Sequence, residues 1–226
     1  MNRISRLRWW WQSVWGATMA GLGFRRSVVF GHGRAVGYRW ARPGPPPDLS
    51  KVQRPAWLPP DGELGVAVGT RVVLVSEERF AIALVDCVAY SSGFEFTISY
   101  RSRDDLGREV LGFGLPPVPG RELEVRIEYP DGHHASSGTE AMSAHYEASY
   151  QGREPPSPSG PIVLPQRGGG GGNRYEQTYW CWPIPTDGRI RIAVQWPAAG
   201  IASTSVEIDA SAIRRAGLSS DKLWSG

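Results

Sequence analysis

The segment GFEFTISYR, residues 93–101, carries the clearest strand signal in this chain. Its apolar and polar residues alternate strictly, and a period of two is the side-chain period of a β-strand. Four large apolar side chains therefore share one face, which predicts a strand that packs on a hydrophobic core. The apolar face comprises Phe94, Phe96, Ile98 and Tyr100, and the polar face comprises Glu95, Thr97, Ser99 and Arg101.

The same alternation recurs along most of the chain after residue 64. Turn signals such as Asp131-Gly132 and Asp187-Gly188, which tolerate positive φ, separate several of the apolar segments. In residues 79–92 both faces are apolar, which predicts a central strand and places Asp86 on the same face as Ile82. The predicted strands lie within residues 65–76, 79–92, 93–101, 122–132, 142–150, 178–184, 188–196 and 203–209.

About eight short strands at close spacing are typical of an all-β sandwich. The high content of glycine (28) and proline (19) agrees with many turns. One helix is predicted after the last strand, with Asp209 as its N-cap and Gly217 at its end. We therefore predict a single antiparallel β-sandwich, immunoglobulin-like or jelly-roll-like, with a short C-terminal helix.

The charge is distributed unevenly between the start of the chain and the rest. Residues 1–42 contain eight of the 25 Lys and Arg residues and no acid, so the remainder has 17 basic and all 22 acidic residues. Residues 42–47, RPGPPP, resemble a linker. We predict that residues 1–51 are a disordered segment or lie before the true start, and that residues 52–226 form the β-sandwich domain. Because that domain is acidic, we do not expect it to bind nucleic acid.

Residues 1–26 support a second hypothesis, attachment to a membrane surface. Residues 9–24 are free of charge but number only 16, fewer than the ~20 needed to span a bilayer. Arginines beside four tryptophans suit the lipid headgroup region. This hypothesis applies only if residues 1–26 are expressed.

Five glycines, residues 168–172, precede an aromatic segment. A phosphate-binding loop requires a following lysine and a helix, whereas Asn173, Arg174 and a strand-like segment follow here. No βαβ unit surrounds the glycines, so a dinucleotide site is not indicated either. We interpret the run as a flexible glycine-rich loop and predict no cofactor.

The aromatic segment YWCWPIP, residues 179–185, contains the best candidates for a binding site. Alternation places Trp180 and Trp182 on one face and Tyr179 on the other, while Trp196 ends another predicted strand. The two tryptophans either pack in the core or form an exposed strip like those that bind carbohydrates or proline-rich peptides. The candidate binding residues are Tyr179, Trp180, Trp182 and Trp196.

Catalytic chemistry is the main alternative to binding. An aspartate at position 86 among apolar neighbours would have a raised pKa, which suits acid–base catalysis. His133 and His134 are predicted at a hairpin tip, and their spacing does not indicate a metal site. The alternative function is thus a hydrolase that uses Asp86 or the hairpin of His133 and His134, although no catalytic residue is assigned.

The two cysteines, Cys87 and Cys181, are too few for a secreted disulfide scaffold. Their number favours a reducing compartment, and we predict a cytoplasmic location. The two side chains could meet across the two sheets, but we expect two free buried thiols.

Several motifs resemble a family of bacterial proteins, mostly from high-GC genomes, that has no assigned activity. The most specific are W-x-W-P-x-P and W-P-A-A-G-I, and the resemblance spans residues 54–224. It implies a domain that begins near residue 52 and carries over no site residues. The leading prediction is a non-catalytic binding or interaction module of a bacterial cytoplasmic protein, with a protein as one candidate partner. The motifs are RPAWLPP (54–60), GFEFTISYRSR (93–103), the glycine run (168–172), YWCWPIP (179–185), QWPAAGI (195–201) and STSVEIDASAI (203–213).

Overall fold

The structure is a computed structural model of the chain. The predictions for the N-terminal segment lie outside its described part, as do residues 105–122. The described residues are 54–104, 123–138, 140–197 and 200–224.

The contacts divide the chain into two units. The larger unit comprises Arg54–Met142 and Ser157–Gly226, and it contains the β-sheets. The smaller unit comprises Met1–Gln53 and Ser143–Pro156. Within its described part, residues 143–156, a helix passes into a turn in which the Arg153 N–H donates to the Ala148 carbonyl at 2.9 Å.

The described residues form twelve strands and two helices. Every pairing between strands is antiparallel. In chain order the elements are β1 (Glu63–Leu64), β2 (Val66–Ala67), β3 (Val72–Ser76), β4 (Phe80–Ala89), β5 (Phe94–Ser102), β6 (Glu124–Glu128), β7 (His134–Ser136), α1 (Glu140–Tyr150), β8 (Ile162–Gly171), β9 (Arg174–Trp182), β10 (Arg189–Trp196), β11 (Ile201–Asp209), α2 (Ala210–Leu218) and β12 (Asp221–Lys222).

Two of the sheets form a sandwich. The six-stranded sheet has the order β2-β4-β5-β9-β8, with β3 also paired to β4, and the four-stranded sheet has the order β11-β10-β6-β7. Strands β1 and β12 form a small separate sheet. The sandwich with its short C-terminal helix confirms the predicted fold class.

The main core lies between the two large sheets. Strand β5 pairs with β4 on one edge and with β9 on the other, so it lies inside its sheet, and its apolar face packs in the core. Phe96 and Ile98 are each about 1% exposed there, and Ile127 and Ile192 of the opposite sheet are fully buried. The alternation in residues 93–101 therefore correctly predicts that Phe94, Phe96, Ile98 and Tyr100 pack in the core.

Helix α2 begins where the sequence predicts it but ends later. The Asp209 carboxylate accepts the Ser211 backbone N–H at 2.9 Å, which confirms the N-cap. Gly217 does not end the helix, because Ser219 is the C-cap. A Cβ at Gly217 would lie 2.5 Å from the Tyr90 carbonyl oxygen, so glycine is needed for close packing of the helix on β4.

The strand predicted at residues 142–150 is wrong, since helix α1 covers Glu140–Tyr150. Its sequence, EAMSAHYEASY, contains three Ala, two Glu and one Met, all of which have high helix propensity. In the part of the chain that the structure describes, no helix has the length and apolarity needed to cross a membrane.

The loop interpretation of the glycine run is also wrong. Gly168–Gly171 form the last part of β8 and pair with Arg174–Gln177 of β9. Gly172 makes the turn with a φ of +61°, a conformation that side chains other than glycine rarely adopt. The strand thus continues through glycine because the partner strand supplies its backbone hydrogen bonds.

Candidate functional site

Three of the four candidate aromatic residues are buried. Tyr179 and Trp196 lie in the core between the sheets, at 4% and 3% exposure, and Trp180 is fully buried. A buried ring cannot contact a partner unless the protein opens, so these residues do not form an exposed aromatic strip. Trp182 is half-buried.

Trp180 packs on the face of the six-stranded sheet that points away from the four-stranded sheet, here called the outer face. A second hydrophobic cluster covers it there, built from Trp57, Leu58, Ile162 and Leu164. The indole Nε1 of Trp180 donates to the Trp57 carbonyl at 2.8 Å, so the ring is both covered and hydrogen-bonded. The burial of Trp180 is therefore structural, outside the core between the sheets.

Asp86 is exposed on the outer face, so the prediction that it shares the apolar face of Ile82 is wrong. A β-bulge between Leu84 and Asp86 shifts β4 against β5. Beyond the bulge Cys87 and Ala89 point into the core instead, and both are fully buried. The aspartate thus lacks the apolar surroundings on which its catalytic role depended.

His133 and His134 lie at the tip of the β6–β7 hairpin, as predicted, and both are exposed. The Asp131 carboxylate accepts the His133 backbone N–H at 3.0 Å, and this bond is the main cause of the lowered pKa of Asp131. Within the described ranges, no three His, Cys, Asp or Glu side chains form a group that could hold a metal ion.

The two cysteines are free and buried, but they do not face each other from opposite sheets. Cys87 lies on β4 and Cys181 on β9, with β5 between them in the same sheet. Burial raises the pKa of Cys87 to about 12 and also raises the pKa of Cys181. Both groups are therefore thiols at neutral pH and are poor nucleophiles.

A cavity of about 720 Å³ opens between the β3–β4 turn and the start of β11. Exposed turn residues Glu77, Glu78 and Arg79 line one side of it, and neither Asp86 nor His134 is among its lining residues. The residues proposed for catalysis therefore do not meet in this concavity.

A polar patch occupies the outer face beside the second hydrophobic cluster. Glu95 is its buried member, with a side chain only 10% exposed, next to Trp180 in the strand register. Its Oε2 accepts from Arg167 Nη2 at 3.4 Å. Burial raises the pKa of Glu95, while the nearby guanidinium of Arg167 acts in the opposite direction.

Glu176 belongs to the same patch and has the opposite pKa shift. Its Oε1 accepts from Arg174 Nη2 at 2.6 Å and from Arg101 Nη2 at 3.2 Å. The hydrogen bond from Arg174 is the main cause of its lowered pKa. Glu176 of β9 is opposite Ser99 of β5. Ser99 is four residues from Glu95 along β5, which separates their Cα atoms by about 13 Å.

The patch borders the end of the sheet, where residues 168–171 of β8 form what we call the glycine edge. Strand β8 is the terminal strand of the six-stranded sheet, and all four glycines are exposed. Among the described residues, the other edge of β8 makes a single bridge, from Val163 to Ser137. The main chain of the glycine edge is thus accessible beyond that bridge.

Two of these glycines are not required by the packing of the protein itself. A Cβ at Gly170 would lie 2.1 Å from the Arg174 carbonyl oxygen, so this position needs glycine. Among the described residues, a Cβ at Gly169 or Gly171 would meet nothing within 4 Å, and neither residue has a positive φ. Since glycine in a strand costs about 0.5–1 kcal/mol relative to alanine, the packing of the described residues does not account for glycine at these two positions.

No family model matches the chain, and no curated protein is found to be similar to it. The function is therefore argued from the side chains and main-chain groups of the described residues.

Sequence reasoning missed the residues that make this site distinctive. Glu95 and Arg167 are 72 positions apart, and a sequence gives no register that would pair them. The glycine run was visible, but its strand conformation follows only from pairing with β9. An unpaired strand of glycines looks the same as a linker in sequence.

Proposed function

We propose that this protein is a non-catalytic binding module and that its ligand is another protein chain. The observation that carries the proposal is the glycine edge, an exposed strand edge without side chains. Native proteins usually protect such edges with charge, proline or a covering element, because the free main chain can pair with another strand. Here the bulge and the proline of β8 come before the glycines and leave residues 168–171 accessible.

The glycines themselves support the same proposal. Glycine inside a strand is typical of places where another backbone approaches closely. No described residue lies within 4 Å of a Cβ placed at Gly169 or Gly171, so the close approach is attributed to a partner. Addition of a strand to a sheet edge is a common mode of peptide recognition.

The location that accompanies this function is the bacterial cytoplasm. The supporting observation is that Cys87 and Cys181 are both free. Free thiols persist where the compartment is reducing. The family resemblance supports the bacterial origin.

The test is a selection from a library of random peptides displayed on phage, with the full chain as bait. We expect enriched peptides to bind the full chain in calorimetry and to lose affinity in Gly168→Pro, which disrupts the main chain of the edge. The matched control is Gly160→Pro, in a proline-rich segment outside the sheets, where a Cβ would meet nothing within 4 Å. It should bind like the wild type. A selection that enriches no binding peptide would contradict the proposed function.

A further inference from the structure

The orientation of the main chain at the glycine edge follows from one hydrogen bond. The Gly138 N–H donates to the Val163 carbonyl at 3.1 Å, so the polar groups of Val163 point away from β9. Val163 is opposite Cys181, and in an antiparallel pair such outward-pointing residues occur at every second position of the strand.

The same alternation can be followed along β9 to the glycine edge. Positions 179, 177 and 175 of β9 have the same phase as Cys181, and the bulge in β8 leaves this phase unchanged because the extra residue belongs to β8. The residues opposite positions 177 and 175 are Gly168 and Gly170. Their N–H and C=O groups therefore point to the free edge, while those of Gly169 and Gly171 point to β9.

The charged residues nearest to the glycines along the chain, Arg167 and Arg174, are both positive, and each pairs with a glutamate. Residues 162–173 contain Arg167 and no acidic residue, and Arg174 follows the turn. The two arginine side chains are 75% and 55% exposed. Each guanidinium has five N–H donors, and its hydrogen bond to Glu95 or Glu176 uses one of them. Donors thus remain for further carboxylates.

Both arginines lie on the outer face, because their carboxylate partners do. A strand added beside β8 would present every second side chain on that face. Acidic residues at alternate positions of a partner would therefore meet Arg167 and Arg174.

A second copy of this chain fits the edge less well than a peptide does. Four glycines bring no apolar side chains to an edge-to-edge contact, whereas a stable dimer buries at least about 1,200 Å² in total. The charge also favours an acidic partner over a copy that carries the same arginines.

We propose that the glycine edge binds an extended peptide with acidic residues at alternate positions, which adds to the six-stranded sheet as a further strand beside β8. The inference rests on the proposed function and names the chemistry of the partner. Main-chain hydrogen bonds to Gly168 and Gly170 hold the peptide, and its carboxylates bind Arg167 and Arg174.

The test is a titration of the isotope-labelled full chain with a synthetic hexapeptide of three Glu-Val repeats, followed by NMR. We expect chemical-shift changes at the Gly168 and Gly170 amides and slower hydrogen exchange there, whereas the Gly169 and Gly171 amides are already protected by β9.

Two control peptides separate the contribution of charge from that of strand formation. Three Lys-Val repeats have the opposite charge, and three Glu-Pro repeats have the same charge but cannot form a strand. Binding of the Glu-Pro peptide as tightly as the Glu-Val peptide would overturn strand addition.

Charge is tested with three single variants. Arg167→Gln and Arg174→Gln should each weaken the Glu-Val peptide about two- to fivefold, the range for exposed ion pairs. The matched control is Arg126→Gln on β6, which is 59% exposed and, like the other two arginines, lies beside a glutamate; it should bind like the wild type. Equal affinity in all three would overturn the acidic specificity.

The outcomes also separate this inference from the proposed function. If the random library yields edge-binding peptides that are neutral or basic, the acidic inference fails and the binding function stands. If the labelled chain self-associates through Gly168 and Gly170, the occupant is a second copy and the inference fails. If no peptide from the library binds, the proposed function itself fails.

Discussion

The β8–β9 hairpin has two ends that differ in nearly every physical respect. At the end far from the turn, Ile162–Leu164 pair with Trp180–Trp182. We call it the closed end, because the second hydrophobic cluster covers its outer face. At the end beside the turn, Gly168–Gly171 pair with Arg174–Gln177. We call it the open end, because its glycines are exposed. The backbone pairing is the same at both ends, so the difference comes from the side chains and from what covers them.

One hairpin thus combines a half that stabilises the fold, at the closed end, with an accessible half, at the open end. The closed end buries apolar area, which stabilises the fold by about 25 cal/mol per Å². The open end contributes backbone hydrogen bonds and almost no apolar burial. Changes at the closed end should therefore affect stability, and changes at the open end should affect binding.

The largest effect is expected for Trp180→Ala at the closed end. It removes a fully buried ring and leaves the Trp57 carbonyl without its indole donor, so the free energy of unfolding should fall by about 3–5 kcal/mol. Urea denaturation of the full chain measures the change. Arg174→Ala, the matched change at the open end, should cost less than about 1 kcal/mol. Similar losses in both variants would remove the distinction between the ends.

The closed end also shows where prediction from sequence stops. Alternation correctly placed Trp180 and Tyr179 on opposite faces, but it could not show that both faces are covered. The cover of Trp180 comes from Trp57, which is 123 positions away in the chain. Burial on the outer face is thus a tertiary contact without a local signal.

A smaller effect is expected within the glycine edge itself. Gly170→Ala places a methyl group against the Arg174 carbonyl and should lower the free energy of unfolding by about 1–3 kcal/mol. Gly169→Ala meets open space and should raise it by about 0.4–1 kcal/mol, because the unfolded chain loses conformational freedom. The pair of variants differs by one position and is compared by the same urea denaturation. A loss at Gly169 equal to that at Gly170 would mean that the fold requires both glycines.

Strand positions were predictable to the extent that each strand keeps its period. The alternation in residues 93–101 holds throughout β5, whereas the bulge in β4 reverses the phase after Leu84 and moves Asp86 to the outer face. A bulge adds one residue and changes no residue type, so the sequence alone contains no sign of it. The candidate site depended on such registers, and for this reason its residues were less predictable than the fold.

The smallest effects are expected for the two carboxylates of the patch, and these have opposite signs. The pKa of Glu95 is raised above its ordinary value of 4.5, so the unfolded chain loses this proton first and stability declines as pH rises above about 4.5. The side chain in Glu95→Gln cannot ionise, so the free energy of unfolding of this variant should rise relative to that of the wild type between pH 4 and pH 7.

The pKa of Glu176 is lowered in the folded chain, so its contribution to stability is present above pH 4.5 and is lost as the pH falls through the pKa of the folded state. Glu176→Gln should thus be less stable than the wild type at pH 7, and the difference should shrink at low pH. Urea midpoints measured across this range decide the matter, and two variant curves that run parallel to the wild type would show that neither carboxylate differs between the folded and unfolded chains.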